Sequence, residues 1–175
     1  MVFSVFHLIF VAFVAVVCSQ APVEDHDFNL GIFRALCTND LPAPPMNHSF
    51  PLRYDIFPDP LFNTYSVNQN VRVTLRGIDP EFEFAAFVIR ARSPFDTIPI
   101  GTWTAGAYGR PISCEHPEFI GNDAAAQRNA TTNRNYQELI WTAPSMPGNY
   151  IFDLTTSERF MVYWADQFSP LLRVV

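Results

Sequence analysis

Two arginines at strand spacing, Arg90 and Arg92, are the residues of this chain best placed to bind an anion. Alternate residues of a strand project from one face about 7 Å apart, and this spacing suits bidentate clamping of a carboxylate or phosphate. If they are exposed beside Arg72 and Arg76, the four side chains form a cationic patch suited to lipid A phosphates or sulfated glycans. Alternatively, Arg90 and Arg92 stack on aromatic rings or pair with carboxylates.

Aromatic residues beside a glycine-rich segment are the second candidate for ligand contact. Trp103 and Tyr108 lie near this segment, and an exposed ring there would stack on a sugar. Trp103 also fits burial in a core, which leaves Tyr108 as the predicted binding residue. Alternation with polar neighbours assigns Trp141 and Trp164 to the core and its edge.

The sequence offers no positive case for catalysis or for a metal. His26, His48 and His116 are scattered through loop-like segments without metal-ligand spacing, so we interpret them as solvated. Glu81 and Glu83 would share a strand face, where a solvated edge is favoured over general acid and base work. Neither a phosphate-binding glycine loop nor a nucleophile elbow occurs. We predict a non-enzymatic protein without cofactor or metal.

Charge excludes some classes of partner. The chain has 11 basic and 17 acidic residues, for a net charge of -6, and all the basic residues are arginine. Phosphate binding along a nucleic acid needs clustered cations, so no nucleic-acid partner is expected. A polybasic tract for membrane surfaces or nuclear import is also missing from the sequence.

The first nineteen residues predict the compartment. Residues 8–18 are uncharged and apolar and end in small residues, as a cleaved secretory signal does. An uncleaved anchor is the alternative, although this run is short for a bilayer span. The sequence therefore predicts a secreted, extracellular mature chain that does not insert into membranes and that is long enough for one domain.

Cysteines and sequons fit an extracellular chain. Without Cys18, which lies in the predicted signal, Cys37 and Cys114 remain as an even pair. The sequence leaves three alternatives for this pair: a bridge between the two cysteines, two free thiols, or a bridge to another molecule. Asn47 and Asn129 each begin an Asn-X-Ser/Thr triplet, which marks a surface glycosylation site or arises by chance.

Hydrophobic periodicity beyond residue 60 is that of strands. Val71, Val73 and Leu75 alternate with polar residues, so one face of this segment is apolar. A proline-rich, extended lead-in precedes it. The predicted strands cover residues 53–57, 64–67, 71–76, 84–92, 100–104, 137–142, 149–155 and 160–165, and the one helical pattern covers 123–128. About eight short strands with frequent turns indicate an all-β, antiparallel β-sandwich.

The ordered succession of these segments resembles the Reeler domain. It includes Val71 to Gly77, Phe84 to Arg92, Pro99 to Trp103, Cys114, Trp141 to Pro144, Gly148 to Phe152 and Tyr163-Trp164. The resemblance implies an immunoglobulin-like sandwich in which Cys37 is bonded to Cys114. The chain departs from the family pattern at Ala86, where a glycine is usual, and around Thr132 and Asn133, where a histidine is common.

The apolar N-terminus and the resemblance together imply four parts of the chain, and the resemblance implies a binding function. The expected parts are a signal peptide (1–19), an N-terminal segment (20–36), a Reeler-like sandwich (37–170) and a C-terminal tail (171–175). Small secreted insect defence proteins consist almost wholly of this domain, which implies an innate-immune protein that binds microbial lipids or glycans such as lipopolysaccharide and promotes nodulation or antimicrobial activity. Reelin and F-spondin imply the alternative, a matrix or adhesion module for proteins or glycosaminoglycans. The short segment after Trp164 favours the first.

Overall fold

The computed structural model describes residues 37, 53–59, 64–106, 109–115, 121–127, 134–159 and 162–175. Within these residues the chain forms eleven β-strands. They are β1 (Tyr54–Asp59), β2 (Thr64–Tyr65), β3 (Asn70–Gly77), β4 (Ala86–Arg92), β5 (Thr102–Ala105), β6 (Gly109–Ile112), β7 (Ala124–Gln127), β8 (Tyr136–Thr142), β9 (Gly148–Arg159), β10 (Val162–Phe168) and β11 (Leu172–Val174).

The first sheet has four antiparallel strands in the order β1-β3-β8-β5. Its central strand β3 shows the alternation that the sequence predicts, with Val71, Val73 and Leu75 fully buried. Arg72 and Arg76 lie on the opposite face and are exposed, and Thr74 between them is half-buried. One face of this sheet is therefore core and the other meets solvent.

The second sheet has seven strands, with β2-β11-β9-β4-β7-β6 in order and β10 paired to β9. Its pairs are antiparallel except β2 with β11, which is parallel. Strand β4 is apolar on both faces up to Arg90, because one face joins the core and the other is covered by a second apolar cluster. Burial of both faces of β4 explains the continuous apolar run in the sequence.

The core lies between the two sheets and is rich in aromatic rings. Phe152 of β9 contacts Trp103 and Trp141 from the first sheet, with ring centroids 5.4 and 5.2 Å apart. Phe84 makes edge-to-face contacts with Tyr54 and Phe87. Each such side chain contributes roughly 1.5–3 kcal/mol through burial. The two sheets thus form a β-sandwich, as the sequence predicts.

A disulfide bond between Cys37 and Cys114 lies on the outer face of the second sheet. The two Cα atoms are 5.3 Å apart, and the bond closes a sequence separation of 77 residues. Asp123 supports it, because one carboxylate oxygen accepts the N–H of Cys114 at 3.2 Å and the other accepts the hydroxyl of Ser113. The predicted pairing of Cys37 with Cys114 is confirmed, and the alternatives of two free thiols or an intermolecular bridge do not apply to this pair.

Each of the eight predicted strands overlaps an observed one, but three strands were not predicted. Residues 123–128 were expected to be helical, and instead β7 occupies Ala124–Gln127. The sequence also gives no separate signal for β6, which lies in a predicted turn. The expected tail at 171–175 is wrong as well, because Leu172 and Val174 of β11 are buried against the core.

The connection between β3 and β4 carries the paired carboxylates. Glu81 and Glu83 are exposed there and do not share a strand face as expected, since neither lies within a strand. The predicted signal and the proline-rich lead-in, apart from Cys37 and residues 53–59, lie outside the described residues. In the described part of the chain, no helix is long and apolar enough to span a membrane.

Candidate functional site

The predicted anion clamp is occupied by a carboxylate of the protein itself. Arg90 and Arg92 project from β4 on the outer face of the second sheet, where Asp153 is the register partner of Arg90 on β9. One oxygen of Asp153 accepts the Nε and Nη2 of Arg90 at 3.2 and 3.1 Å and the Nε of Arg92 at 2.9 Å. Only 16% and 14% of the two arginine side chains is exposed. The structure therefore shows the alternative interpretation, in which Arg90 and Arg92 pair with a nearby carboxylate.

Both arginines also bind backbone carbonyl groups. Arg90 donates to the carbonyl oxygen of Cys37 at 3.4 Å, so it helps to hold the segment that carries the disulfide. Arg92 donates to carbonyl oxygens of the loop after β4 and lies 5.2 Å from the ring centroid of Phe168. These contacts make the pair a structural clamp with few donors left for a ligand.

Arg72 and Arg76 lie on the outer face of the other sheet, so the four arginines do not form one patch. Arg72 approaches Glu138 at 3.8 Å and Arg76 approaches Asp55 at 4.0 Å. Tyr136, on β8, donates to Glu138 at 2.7 Å, and this hydrogen bond raises the pKa of Tyr136. Neutralised pairs on an exposed sheet face do not hold an anion strongly.

Several predicted site residues lie outside the described residues, namely Tyr108, the sequons at Asn47 and Asn129, and the three histidines. The tryptophans are described. Trp103, Trp141 and Trp164 are all buried, which confirms their assignment to the core and its edge. The described residues hold no cluster of three or more potential metal ligands.

A cleft lies where the edges of the two sheets face each other. Strand β5 is the last strand of the first sheet and β6 the last of the second. The cleft between them has a volume of about 620 Å³, which is within the range of small-molecule sites. Its lining consists of Trp103, Thr104, Gly106, Gly109, Arg110, Pro111 and Asn122.

Backbone hydrogen bonds fix the two ends of this edge cleft. At one end, the N–H of Trp103 donates to the carbonyl oxygen of Asn122 at 2.7 Å. At the other end, the N–H of Gly109 donates to the carbonyl oxygen of Gly106 at 3.2 Å. A side chain at Gly106 would collide with the carbonyl oxygen of Glu138, so only glycine lets the chain pass this close to β8.

The cleft presents polar groups above a buried tryptophan. Trp103 is 1% exposed, and its buried indole N–H has no hydrogen-bond acceptor among the described residues. Arg110 is half-buried, while Thr104 and Asn122 are exposed. A hydroxyl, an amide and a guanidinium around one space can bind a polar, anionic molecule such as a substituted sugar.

Sequence reasoning found one side of this cleft and missed the other. The glycine-rich segment beside Trp103 was singled out, but Arg110 and Asn122 were not. Their position depends on β6 and β7 forming a sheet edge opposite β5, and neither strand was predicted. The two glycines at 106 and 109 are the local signal that marks the site.

The fold places the chain in a class, the immunoglobulin-like β-sandwich domains. A family model narrows this class: the chain belongs to the Reeler domain family, whose model matches residues 35–175. The match includes β11, which the sequence had assigned to a tail.

Solved structures show the same fold. The human F-spondin reeler domain (fragment 1) superposes with a TM-score of 0.59 at 16% identity, covering 82% of this chain and 98% of that one. The Reelin-N domain of F-spondin gives 0.59 at 14% identity, covering 85% and 99%. At these identities the likeness shows the fold alone. Among curated proteins, none matches the chain.

Proposed function

We propose that this chain is a secreted, non-catalytic defence protein that binds anionic saccharides of microbial surfaces, with lipopolysaccharide as the reference ligand. The observation that carries the proposal is the edge cleft, in which Arg110, Asn122 and Thr104 lie around one space beside the backbone of the buried Trp103. Phosphorylated sugars of lipopolysaccharide combine the two features that such a site recognises, a polar ring and an anion.

The guanidinium of Arg110 is the anion-binding group of the proposed site. An arginine can bind a phosphate through two parallel N–H groups, which adds geometric specificity to the charge. Asn122 and Thr104 offer an amide and a hydroxyl for the sugar hydroxyl groups. The glycine backbones at 106 and 109 allow a ligand ring to approach closely.

Secretion is supported by two features. The apolar, uncharged segment at residues 8–18 has the character of a signal sequence. The disulfide between Cys37 and Cys114 is of the kind that persists in oxidising compartments. Expression of the full chain in a secretory host should release a product that begins near Gln20, and N-terminal sequencing of that product checks this.

A second function shares the same chemistry. Sulfated glycans of the extracellular matrix also present sugar rings with anions, so the cleft would equally suit an adhesion module that binds glycosaminoglycans. The two sources of ligand are separated by comparing binding to lipopolysaccharide, peptidoglycan and β-glucan with binding to heparin. Saturable binding to microbial ligands with little binding to heparin supports the defence function, and the reverse supports the adhesion module.

A matched pair of threonines tests the site. Thr104 and Thr102 are both exposed on β5, but only Thr104 lines the cleft. We expect Thr104→Val combined with Arg110→Gln to weaken lipopolysaccharide binding at least tenfold, because valine lacks the hydroxyl group and glutamine lacks the positive charge that the ligand would contact. Thr102→Val should leave binding unchanged. Equal affinity of the cleft variant and the wild type would remove the cleft from the proposal, and no binding by the wild type would remove the ligand.

A further inference from the structure

The loop between β4 and β5 presents a bulky apolar side chain entirely to solvent. Phe95 is 98% exposed and Ile98 is 57% exposed. Prolines flank the pair at positions 94 and 99. We call residues 93–99 the tip loop. Phe95 has the largest exposed fraction of any large apolar side chain among the described residues, and it is grouped with Ile98 in one loop. Apolar surface grouped in this way marks a candidate interaction site.

Arg92 holds the tip loop in one shape from below. Its Nη1 donates to the carbonyl oxygens of Ser93 at 3.1 Å and Asp96 at 3.0 Å, and to that of Pro94 at 3.5 Å. Its Nε is fixed by Asp153. The guanidinium that the sequence marked as a ligand contact therefore organises the loop, and Phe95 is presented on a braced turn.

The backbone of the tip loop satisfies its own N–H groups. The N–H of Phe95 donates to the Ser93 hydroxyl at 3.4 Å, and that of Asp96 donates to the Ser93 carbonyl oxygen at 3.2 Å. One carboxylate oxygen of Asp96 accepts the N–H groups of Thr97 and Ile98 at 2.7 and 3.1 Å. The two prolines carry no N–H. Every N–H from position 94 to 99 is thus paired within the loop or absent.

This internal pairing lets the loop enter surroundings that offer fewer hydrogen-bond partners than bulk water. In hydrocarbon an unpaired backbone N–H is costly, whereas water or a protein partner would supply acceptors. We propose that the tip loop inserts Phe95 and Ile98 into the interfacial region of a zwitterionic phospholipid surface. The contact is peripheral. The sequence predicted that the mature chain does not insert into membranes, and under this proposal that prediction applies to every part of the mature chain except the tip loop.

Area and charge favour a phosphocholine surface over other occupants. The two side chains offer on the order of 300 Å² of apolar surface, well below the roughly 800 Å² per partner of a stable protein interface. Asp96 beside them is exposed and the chain carries a net charge of -6, so an anionic surface repels the loop. The outward ammonium of phosphocholine complements that carboxylate.

Vesicles of palmitoyl-oleoyl phosphatidylcholine test the proposal with the secreted protein. We expect measurable partitioning by co-sedimentation at millimolar lipid, and a decrease of about tenfold in Phe95→Ala, since full burial of one such side chain is worth roughly that factor. Met146→Ala is the matched control, because Met146 is also exposed but lies in the turn before β9. It should partition as the wild type does. Folding of each variant is checked by its near-ultraviolet circular dichroism.

A fluorescent variant gives the depth of insertion. The three native tryptophans are buried, so Phe95→Trp adds the one that reaches solvent among the described positions. Its emission should shift to shorter wavelength with vesicles and be quenched by brominated phosphatidylcholine, whereas wild-type emission stays constant. No partitioning of the wild type, equal partitioning of Phe95→Ala, or binding confined to anionic vesicles would each overturn the proposal. The vesicles contain no saccharide, so failure here leaves the edge cleft untouched.

Discussion

Asp153 pairs with two arginines on the outer face of the second sheet. Its carboxylate holds Arg90 and Arg92 together, and the three side chains are largely buried. The sequence identified the two arginines but not their partner, which lies 61 and 63 residues further along the chain. No local pattern connects positions so distant, because only the pairing of β4 with β9 brings them together.

Removing the carboxylate should therefore be costly. In Asp153→Asn two buried guanidinium groups lose their counter-charge, and we expect a loss of about 3 kcal/mol in the free energy of unfolding. The matched control is Glu138→Gln, which breaks an exposed pair with Arg72 and should cost less than about 1 kcal/mol. Urea unfolding followed by fluorescence measures both. Equal effects of the two substitutions would contradict the structural role of Asp153.

Tyr54 gives the fold a dependence on alkaline pH. Burial raises the pKa of Tyr54 well above its ordinary value, and the nearby carboxylate of Glu158 raises it further. The unfolded chain titrates near the ordinary value of about 10, so the neutral, folded tyrosine contributes its full stability below that pH. As the pH rises above about 10, only the unfolded state releases the proton, and this stability is lost.

The variant Tyr54→Phe tests whether the stability contributed by Tyr54 falls as the pH rises. At pH 8 it loses the hydrogen bond from Tyr54 to the carbonyl oxygen of Glu83, 3.0 Å long, and about 1 kcal/mol of stability. At pH 11 the difference from the wild type should shrink or reverse, because phenylalanine does not titrate. A difference that stays constant or grows between pH 8 and pH 11 in urea unfolding would show that the pKa of Tyr54 is not raised.

At the scale of elements, alternation predicts the strands with one solvent face and fails where both faces are covered by small residues. Ala124, Ala125 and Ala126 favour a helix by intrinsic propensity. In the structure they form β7, with Ala125 in the main core and its two neighbours in the outer cluster near the disulfide. Tight packing on both faces admits only small side chains there, and tertiary context overrides propensity.

The start of β5 depends on a backbone conformation that favours glycine. Gly101 has a φ of 77°, and a Cβ there would clash with the Trp141 ring and the Thr142 carbonyl oxygen. Trp141 in turn donates its indole N–H to Ile100 at 3.1 Å. Positive φ and the clash together should cost Gly101→Ala about 2 kcal/mol or more.

Thermal unfolding of Gly101→Ala checks this, with Ser145→Ala in an exposed turn as the control. Because β5 forms one wall of the edge cleft, the variant should also bind lipopolysaccharide more weakly at a temperature where it is still folded. A midpoint equal to that of the control would show that the start of β5 tolerates a side chain. The glycine is visible in the sequence, but its φ and its neighbour Trp141 are not.

For the whole molecule, the disulfide is the largest single constraint on the unfolded chain. It closes a separation of 77 residues, and chain entropy assigns such a loop about 4 kcal/mol. We expect reduction, or the double variant Cys37→Ala plus Cys114→Ala, to lower the free energy of unfolding by about that amount. Urea unfolding with and without reductant measures it. A loss below about 1 kcal/mol would mean that the two sheets hold the fold without the bridge.

The sandwich as a whole was predictable from the sequence, but its candidate site was not. Strand periodicity and the resemblance to Reeler domains were sufficient for the two-sheet architecture, and the family model and the fold confirm them. The cleft exists because two edge strands from different sheets face each other, and edges are decided by sheet order. The arginine patch was wrong for the same reason, since β3 and β4 belong to opposite sheets.

The exposed side-chain amide of Asn122 offers the most direct test that the edge cleft binds saccharide. Its two N–H groups give nuclear magnetic resonance signals, and Asn122→Asp assigns them by removing them. On titration with deacylated lipopolysaccharide, we predict that the Asn122 signals shift with saturation while the indole N–H signals of the buried Trp141 and Trp164 stay in place. Saturable binding that leaves the Asn122 signals unmoved would contradict this prediction, because the ligand would then lie elsewhere on the sandwich.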